Sequence, residues 1–315
     1  MSRGDWANRG IAAIGMSTIE TYLIVGEIPL REGKHLGQKY GPYSGGMATN
    51  VAANLSLLGL KVTLVSSGGC PGETPDSSAL YDASFSSHYS PGAHAAQVII
   101  CVESVHGKRA AVLLDHQRPK ALTPNQSLAI RQAGLIYYDG SWPEIIPEVL
   151  STISHTSAFL FVNCEFFRSE DSPLIKRSQV IMANESYWFS GRTVSRMDVE
   201  NRILNHWNVH KKWIGISFGK RGAVLYDGQA FEHCPAVGAV VVDTTGAGDA
   251  FAAGLIYALA QNMERSNALR LSSILGAMQC EHVGPNLLMS KKSREYVFQK
   301  IETSSHPCAK LSNSI

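Results

Sequence analysis

One short stretch of this chain has the residue types and spacing to hold a phosphate and move a proton. It reads Val240-Val241-Val242-Asp243-Thr244-Thr245-Gly246-Ala247-Gly248-Asp249-Ala250-Phe251. The pattern predicts a buried strand over residues 240–242, then small residues, then a helix to about residue 261. The first N–H groups of a helix have no partner within it and lie at the positive end of its dipole. Gly246 and Gly248 carry no side chain to keep a phosphate from that backbone. Gly246, Ala247 and Gly248 are therefore the expected anion hole. Asp249, on the first helical turn, is the expected base for a hydroxyl attacking phosphorus. The dipole alone also favours an aspartate there. The strand, the Asp243-Thr244-Thr245 lead-in and the apolar helix behind it weight the reading toward chemistry.

A second constellation stands near the other end of the chain, Gly45-Gly46-Met47-Ala48-Thr49-Asn50-Val51-Ala52 followed by Leu57-Leu58-Gly59. Glycines let a polyol approach the backbone, and Asn50 offers both a donor and an acceptor. A plain turn with a capping asparagine explains the same residues. Ser217-Phe218-Gly219-Lys220-Arg221-Gly222 is a glycine turn after a strand.

Elements must bring these stretches together. Short apolar runs predict strands over residues 11–15, 22–25, 62–66, 135–138, 158–162, 179–182 and 213–217. Val51, Ala52, Leu55 and Leu58 recur at helical spacing after Gly45-Gly46, and Gly59 suits the end of that helix. Residues 97–103 and 110–114 flank Val105-His106-Gly107-Lys108 as a hairpin, and residues 223–226 and 230–233 flank Asp227-Gly228 as another. Residues 268–283 are the last long helix expected, and the Ser-rich tail beyond about 303 is expected to fray. Strands alternating with helices argue for an α/β fold with a parallel sheet. No repeat or linker divides the chain, so residues 1–315 are expected to form a single domain.

Bulk properties narrow the classes. Apolar residues make up 44%, enough for a sizeable core, and charged residues only 17%, which argues against disorder. A net charge of +2 gives no electrostatic reason to expect nucleic acid or anionic lipid as a partner. No apolar run reaches the roughly 18 residues of a membrane span, and the interrupted stretch over residues 11–25 reads as strand, not signal. The six cysteines form no C-x-x-C pair, so reduced thiols and a cytoplasmic location are expected.

Asp243 through Asp249 resembles the C-terminal signature of the ribokinase-like (PfkB-type) carbohydrate kinases, and Gly45 through Ala52 resembles their N-terminal pattern. Ser217 through Gly222 is similar to their nucleotide loop, and Ala183-Asn184-Glu185 to the segment bearing an asparagine near the nucleotide phosphates and metal. Arg109 matches a basic position near the substrate. The matching segments keep family order from about residue 11 to 284. The resemblance implies a three-layer α/β sandwich with a mostly parallel central sheet. It also implies a small β lid from about residues 17–43 and 95–118 that keeps water from the reaction. It implies phosphorylation of a hydroxyl on a small sugar-like substrate by ATP with Mg2+. Glu20, Gly45, Gly46, Asn50 and Arg109 would bind substrate. Asn184, Ser217, Gly219, Lys220, Gly222 and Thr245 would bind nucleotide. Many members dimerise through the lid, so a homodimer is among the expectations.

The sequence departs from the family pattern in several places. Glu20 stands for an aspartate and Met47 for a second asparagine. Tyr187 replaces the glutamate of an Asn-x-x-Glu pattern, with Glu185 a substitute in shifted register. Gly68-Gly69-Cys70-Pro71-Gly72-Glu73 has a form similar to ketohexokinase-like members, a hint of a ketose. Asp243 and the backbone near Thr245 match a monovalent-cation position of some relatives, but Leu288 stands where a small polar residue belongs. The rival readings are a nucleoside kinase and a non-catalytic relative that binds sugar or nucleotide. A dinucleotide oxidoreductase is disfavoured, because Gly15 stands alone after the first strand, and no P-loop motif is present.

Overall fold

The computed structural model describes residues 7–28, 32–68, 85–90, 93–105, 107–114, 118–167, 172–189, 194–210, 212–287 and 294–303. The strands are β1 (Ile11–Ile14), β2 (Thr18–Val25), β3 (Gln38–Gly45), β4 (Val62–Ser66), β5 (Phe85–Tyr89), β6 (Ala96–Glu103), β7 (Arg109–Leu114), β8 (Leu135–Tyr138), β9 (Phe159–Asn163), β10 (Val180–Asn184), β11 (Trp213–Ser217), β12 (Ala223–Tyr226) and β13 (Phe231–Cys234). The helices are α1 (Met47–Leu57), α2 (Pro124–Gln132), α3 (Ile146–Ile153), α4 (Pro173–Arg177), α5 (Glu185–Phe189), α6 (Arg196–His210), α7 (Ala247–Ala260), α8 (Arg265–Gln279) and α9 (Arg294–Thr303).

Nine strands form the large sheet in the order β13-β12-β11-β10-β9-β8-β1-β4-β5. Every neighbouring pair from β11 to β5 is parallel, and β12 and β13 run antiparallel at one edge. Strands such as Ile11-Ala12-Ala13-Ile14 are buried at every residue because helices cover both faces. Helices α1, α7, α8 and α9 pack on one face through Val51, Leu55, Leu255, Leu269 and Val297. Helices α2, α3, α4 and α6 pack on the other through Ile130, Val149, Leu174 and Ile203. The architecture is the expected three-layer sandwich. No helix among the described residues is long and apolar enough to cross a membrane.

A second sheet, ordered β3-β2-β6-β7, stands beside it. Strands β2, β6 and β7 fall within the stretches expected to form the lid, β3 runs past the first of them to Gly45, and Tyr22, Val98, Ile100 and Val102 make the small core of this sheet. Strand β3 runs into Gly45, which pairs with Thr18, so the lid delivers the chain directly to the start of α1.

Some expectations are corrected. Residues 240–242 form no strand, and Val240 is 80% exposed. The Val242 N–H donates to the Cys280 carbonyl (2.7 Å) instead of a ladder. Val241 packs against Gly107 in the lid turn, whose carbonyl accepts from Thr244 Oγ1 (3.2 Å). The helix expected over residues 268–283 is Arg265–Gln279, and β2 starts at Thr18 rather than residue 22. Strands β3 and β5 and helix α9 gave no periodic signal. Gln-Lys-Tyr-Gly-Pro-Tyr-Ser-Gly carries two strand breakers, and Phe-Ser-Ser-His-Tyr is mostly polar. His106, Leu288, residues 69–73 and the tail beyond 303 lie outside the described residues.

Asp139 ties together the turns at the carboxyl ends of β1 and β8. Its carboxylate accepts from Met16 N (2.8 Å), Ser141 N (2.8 Å), Ser141 Oγ (2.6 Å) and the Ala48 backbone. It is fully buried, and burial outweighs these donors and lifts its pKa to about 6. A raised folded-state value favours the protonated form in the fold. Asp139 therefore contributes most below its unfolded value near 4 and loses that contribution as pH rises through about 6. Denaturant unfolding at stepped pH is expected to show wild type losing up to ~3 kcal/mol relative to Asp139→Asn across that window. A stability difference that stays flat with pH would contradict the assignment.

Candidate active site

The N-terminal turn of α7 holds the residues expected to form the anion hole. Gly246 is its N-cap, in the left-handed region at φ 74°. A Cβ there would lie 2.0 Å from the Pro285 carbonyl oxygen, so that glycine is required by its own packing, not by access for a phosphate. Gly248 is the open one: a Cβ at that position meets nothing within 4 Å. The expectation that both glycines clear the way is thus corrected for Gly246.

Asp249 follows on the first turn, only 7% exposed. Its Oδ2 accepts from Asn50 Nδ2 at 2.7 Å, across 199 residues of sequence. This contact ties the first turn of α7 to the first turn of α1, helices that also pack together in the core. Burial lifts the Asp249 carboxyl well above the ordinary carboxylate range. The Asn50 hydrogen bond and the charge of Arg109 pull it down, while Glu165 and Glu20 push it up. Asn50 Oδ1 in turn receives Asn286 Nδ2 (3.5 Å), and Leu287 N donates to Asn54 Oδ1 (2.9 Å), so the segment after α8 packs on the same corner.

Glu20, expected to meet substrate hydroxyls, is spent on the protein. Its Oε1 accepts from Thr18 Oγ1 (2.8 Å) and Gly46 N (3.1 Å), and its Oε2 from Tyr22 OH (2.5 Å). A Cβ on Gly45 would lie 2.3 Å from that carboxyl carbon, and one on Gly46 would lie 2.4 Å from the Met16 carbonyl. The glycine pair therefore lets the turn close over Glu20 and the end of β1. Arg109, exposed at the start of β7, faces this group: its charge lowers the carboxyls of Glu20, Glu165 and Asp249.

The proposed nucleotide residues cluster at the carboxyl ends of β10 and β11, where Asn184 and Ser217 are register partners. Asn184 Oδ1 caps the Tyr187 N–H (3.0 Å). Glu185 pairs with Arg221 of the glycine turn and is not free as the shifted replacement for Tyr187. Gly219 faces open space and Lys220 is exposed, whereas Gly222 is fixed by the Cys234 carbonyl 2.1 Å from its would-be Cβ. Thr245 departs from expectation. It is buried, its N–H (2.9 Å) and Oγ1 (2.7 Å) donate to Asp243 Oδ1, and its carbonyl accepts from Gln279 Nε2. Its role here is to hold the turn rather than to offer a hydroxyl to a nucleotide.

Sequence reasoning missed Glu165, Asp139, Asn286 and Gln279. Glu165 sits in the loop after β9, its N–H donating to Asn163 Oδ1 (3.2 Å), and no motif surrounds it. Asn286 lies in Gly284-Pro285-Asn286 behind a long helix, a turn signal that could have been followed. Among the described residues no group of three or more His, Cys, Asp or Glu side chains is placed to hold a metal ion.

Known proteins resemble this chain in sequence and in fold. The chain is 33% identical to the ribokinase of Lactococcus lactis over 78 residues, 25% of this chain and 26% of that one. It is 43% identical to the aminoimidazole riboside kinase of Salmonella typhimurium over 65 residues, 21% of this chain and 20% of that one. The matched stretches thus span about a quarter or less of these curated relatives. In fold, the structure of Arabidopsis thaliana ribokinase complexed with ribose and ATP superposes with a TM-score of 0.73 at 17% identity, covering 93% of this chain and 98% of that one. The family model described as pfkB family carbohydrate kinase matches residues 86–292, well over half of the sequence and inclusive of the α7 turn. The chain belongs to the pfkB family of carbohydrate kinases.

Proposed function

We propose that this protein transfers the γ-phosphoryl group of ATP to a hydroxyl of a small sugar or sugar-like molecule. The observation that carries this reading is the Asn50–Asp249 contact, which fixes a buried carboxylate on the residue after Gly248, where a Cβ would meet only open space. A substrate hydroxyl placed there would give its proton to Asp249 as its oxygen bonds to phosphorus. The bond from phosphorus to the ADP oxygen breaks, and ADP leaves with that electron pair. The N–H groups of Gly246, Ala247 and Gly248 stabilise the charge on the transferring oxygens. Asn50, the Gly45-Gly46 turn and Arg109 would hold the acceptor, with the lid excluding water. Asn184, Ser217, Gly219, Lys220 and Gly222 would border the nucleotide. Magnesium, carried on the ATP phosphates, supplies charge neutralisation when bound. Asn184 and Glu185 are the oxygen-bearing side chains at that strand end, with Glu185 held by Arg221.

The lid also supports the homodimer reading. All six residues of β7 are exposed at the free edge of the small sheet, with Val112 at 55% and Leu113 at 46%. A second copy covering this strand would remove an apolar edge from water. Light scattering is expected to give a dimer for wild type and a monomer for Val112→Glu. A monomeric wild type at micromolar concentration would contradict it.

The chemistry is tested by turnover with Mg-ATP and a panel of ketoses, aldoses, sugar acids and nucleosides. One class is expected to be phosphorylated, and Asp249→Asn is expected to lower its kcat by about 100-fold or more with ATP affinity retained. Near-normal turnover in that variant would remove Asp249 from the reaction. An absence of ATP turnover with every member of the panel, alongside sugar binding by thermal shift, would favour a non-catalytic relative.

A further inference from the structure

Gln279, the last residue of α8, is fully buried, and both of its amide hydrogens are committed. Its Nε2 donates to the Thr245 carbonyl (2.9 Å) and to the Gly284 carbonyl (2.7 Å). Asp243 holds the same two residues by their other groups. Its Oδ1 accepts from Thr245 N and Oγ1, and its Oδ2 from Gly284 N (3.3 Å). A buried acceptor and a buried donor thus clamp Thr245 and Gly284 from opposite polarities. The clamp also fixes Pro285, whose carbonyl confines Gly246.

The consequence follows from the geometry of one peptide unit. The Thr245 carbonyl and the Gly246 N–H belong to the same planar trans group, so they point in opposite directions. Whatever holds the carbonyl aims the N–H. Gln279 holds it, at the inner side of the turn. We infer that Gln279 is a positioning residue for phosphoryl transfer, which aims the first amide of the anion hole by anchoring the Thr245 carbonyl. The inference rests on the reading that the amides at 246–248 receive the transferring group. A neutral amide with two hydrogens suits the task. A carboxylate of the same shape would face two carbonyl oxygens with no proton to give. Preorganised donors act only when aimed at the developing charge, so a loosened Gly246 N–H costs turnover more than binding.

The test compares wild type, Gln279→Ala and Gln279→Glu with the acceptor that the panel identifies. Both variants are expected to lose kcat by about tenfold to hundredfold, with KM for acceptor and ATP changed by less than about threefold. In Gln279→Ala the vacated space is faced by two carbonyls, so ammonium chloride is expected to restore part of kcat. Tetramethylammonium chloride, which has no N–H to donate, is expected to restore none. Unchanged kcat in Gln279→Ala would overturn the inference. So would a loss that both salts leave untouched or correct equally, since that marks general destabilisation. An active wild type whose Asp249→Asn form stays active would instead strike the proposed reaction itself.

Discussion

A single buried hydrogen bond, Asn50 Nδ2 to Asp249 Oδ2, is the contact on which the candidate site depends. It links the first turns of two helices that lie on the same face of the sheet. The packing of α1 against α7 holds the two glycine stretches near each other, and this bond fixes the asparagine amide on the carboxyl. With it, a carboxyl whose pKa burial raises is drawn part of the way back down. The fold supplies both terms: apolar packing of α1 against α7 buries the carboxyl, and the start of α1 delivers the amide.

The surrounding glycines serve this arrangement by permitting contact among backbone segments. Gly45 makes room for the Glu20 carboxyl, Gly46 for the Met16 carbonyl and Gly246 for the Pro285 carbonyl. Gly248 alone of these faces open space. The polar groups behind them follow one pattern. Glu20 holds the Gly46 amide, Asp139 the Met16 amide, and Asp243 the Thr245 amide. Each is a buried carboxylate that satisfies backbone donors where chain segments end at the site, which fixes the turns to the rigid sheet.

Much of this was legible in the sequence. Buried strands such as Ile11–Ile14 and Trp213–Ser217 announce themselves because both faces are covered and the run is apolar, save Ser217 at its end. The motif around Asp249 is legible because a helix start that binds anions needs small residues in a fixed order. Other features were not legible, for physical reasons. Three valines at 240–242 read as a strand, yet the Val242 N–H is given to the Cys280 carbonyl and the Val241 side chain lies against Gly107. Strand β3 has its Gly and Pro inside the element, where local propensity opposes what pairing with β2 imposes. Glu165, Asn286 and Gln279 carry no local pattern, since their partners lie in distant segments that only the folded chain brings near.

The most direct measurement of the Asn50–Asp249 interaction is the acid limb of the kcat/KM profile against pH, for wild type and Asn50→Ala. The hydrogen bond lowers the Asp249 pKa, so its removal raises that pKa, and the base becomes available only at higher pH. The expected result is an acid limb displaced to higher pH in Asn50→Ala, in addition to any loss of acceptor binding. An acid limb at the same pH in both proteins would show that the group limiting turnover is not a carboxylate held by Asn50.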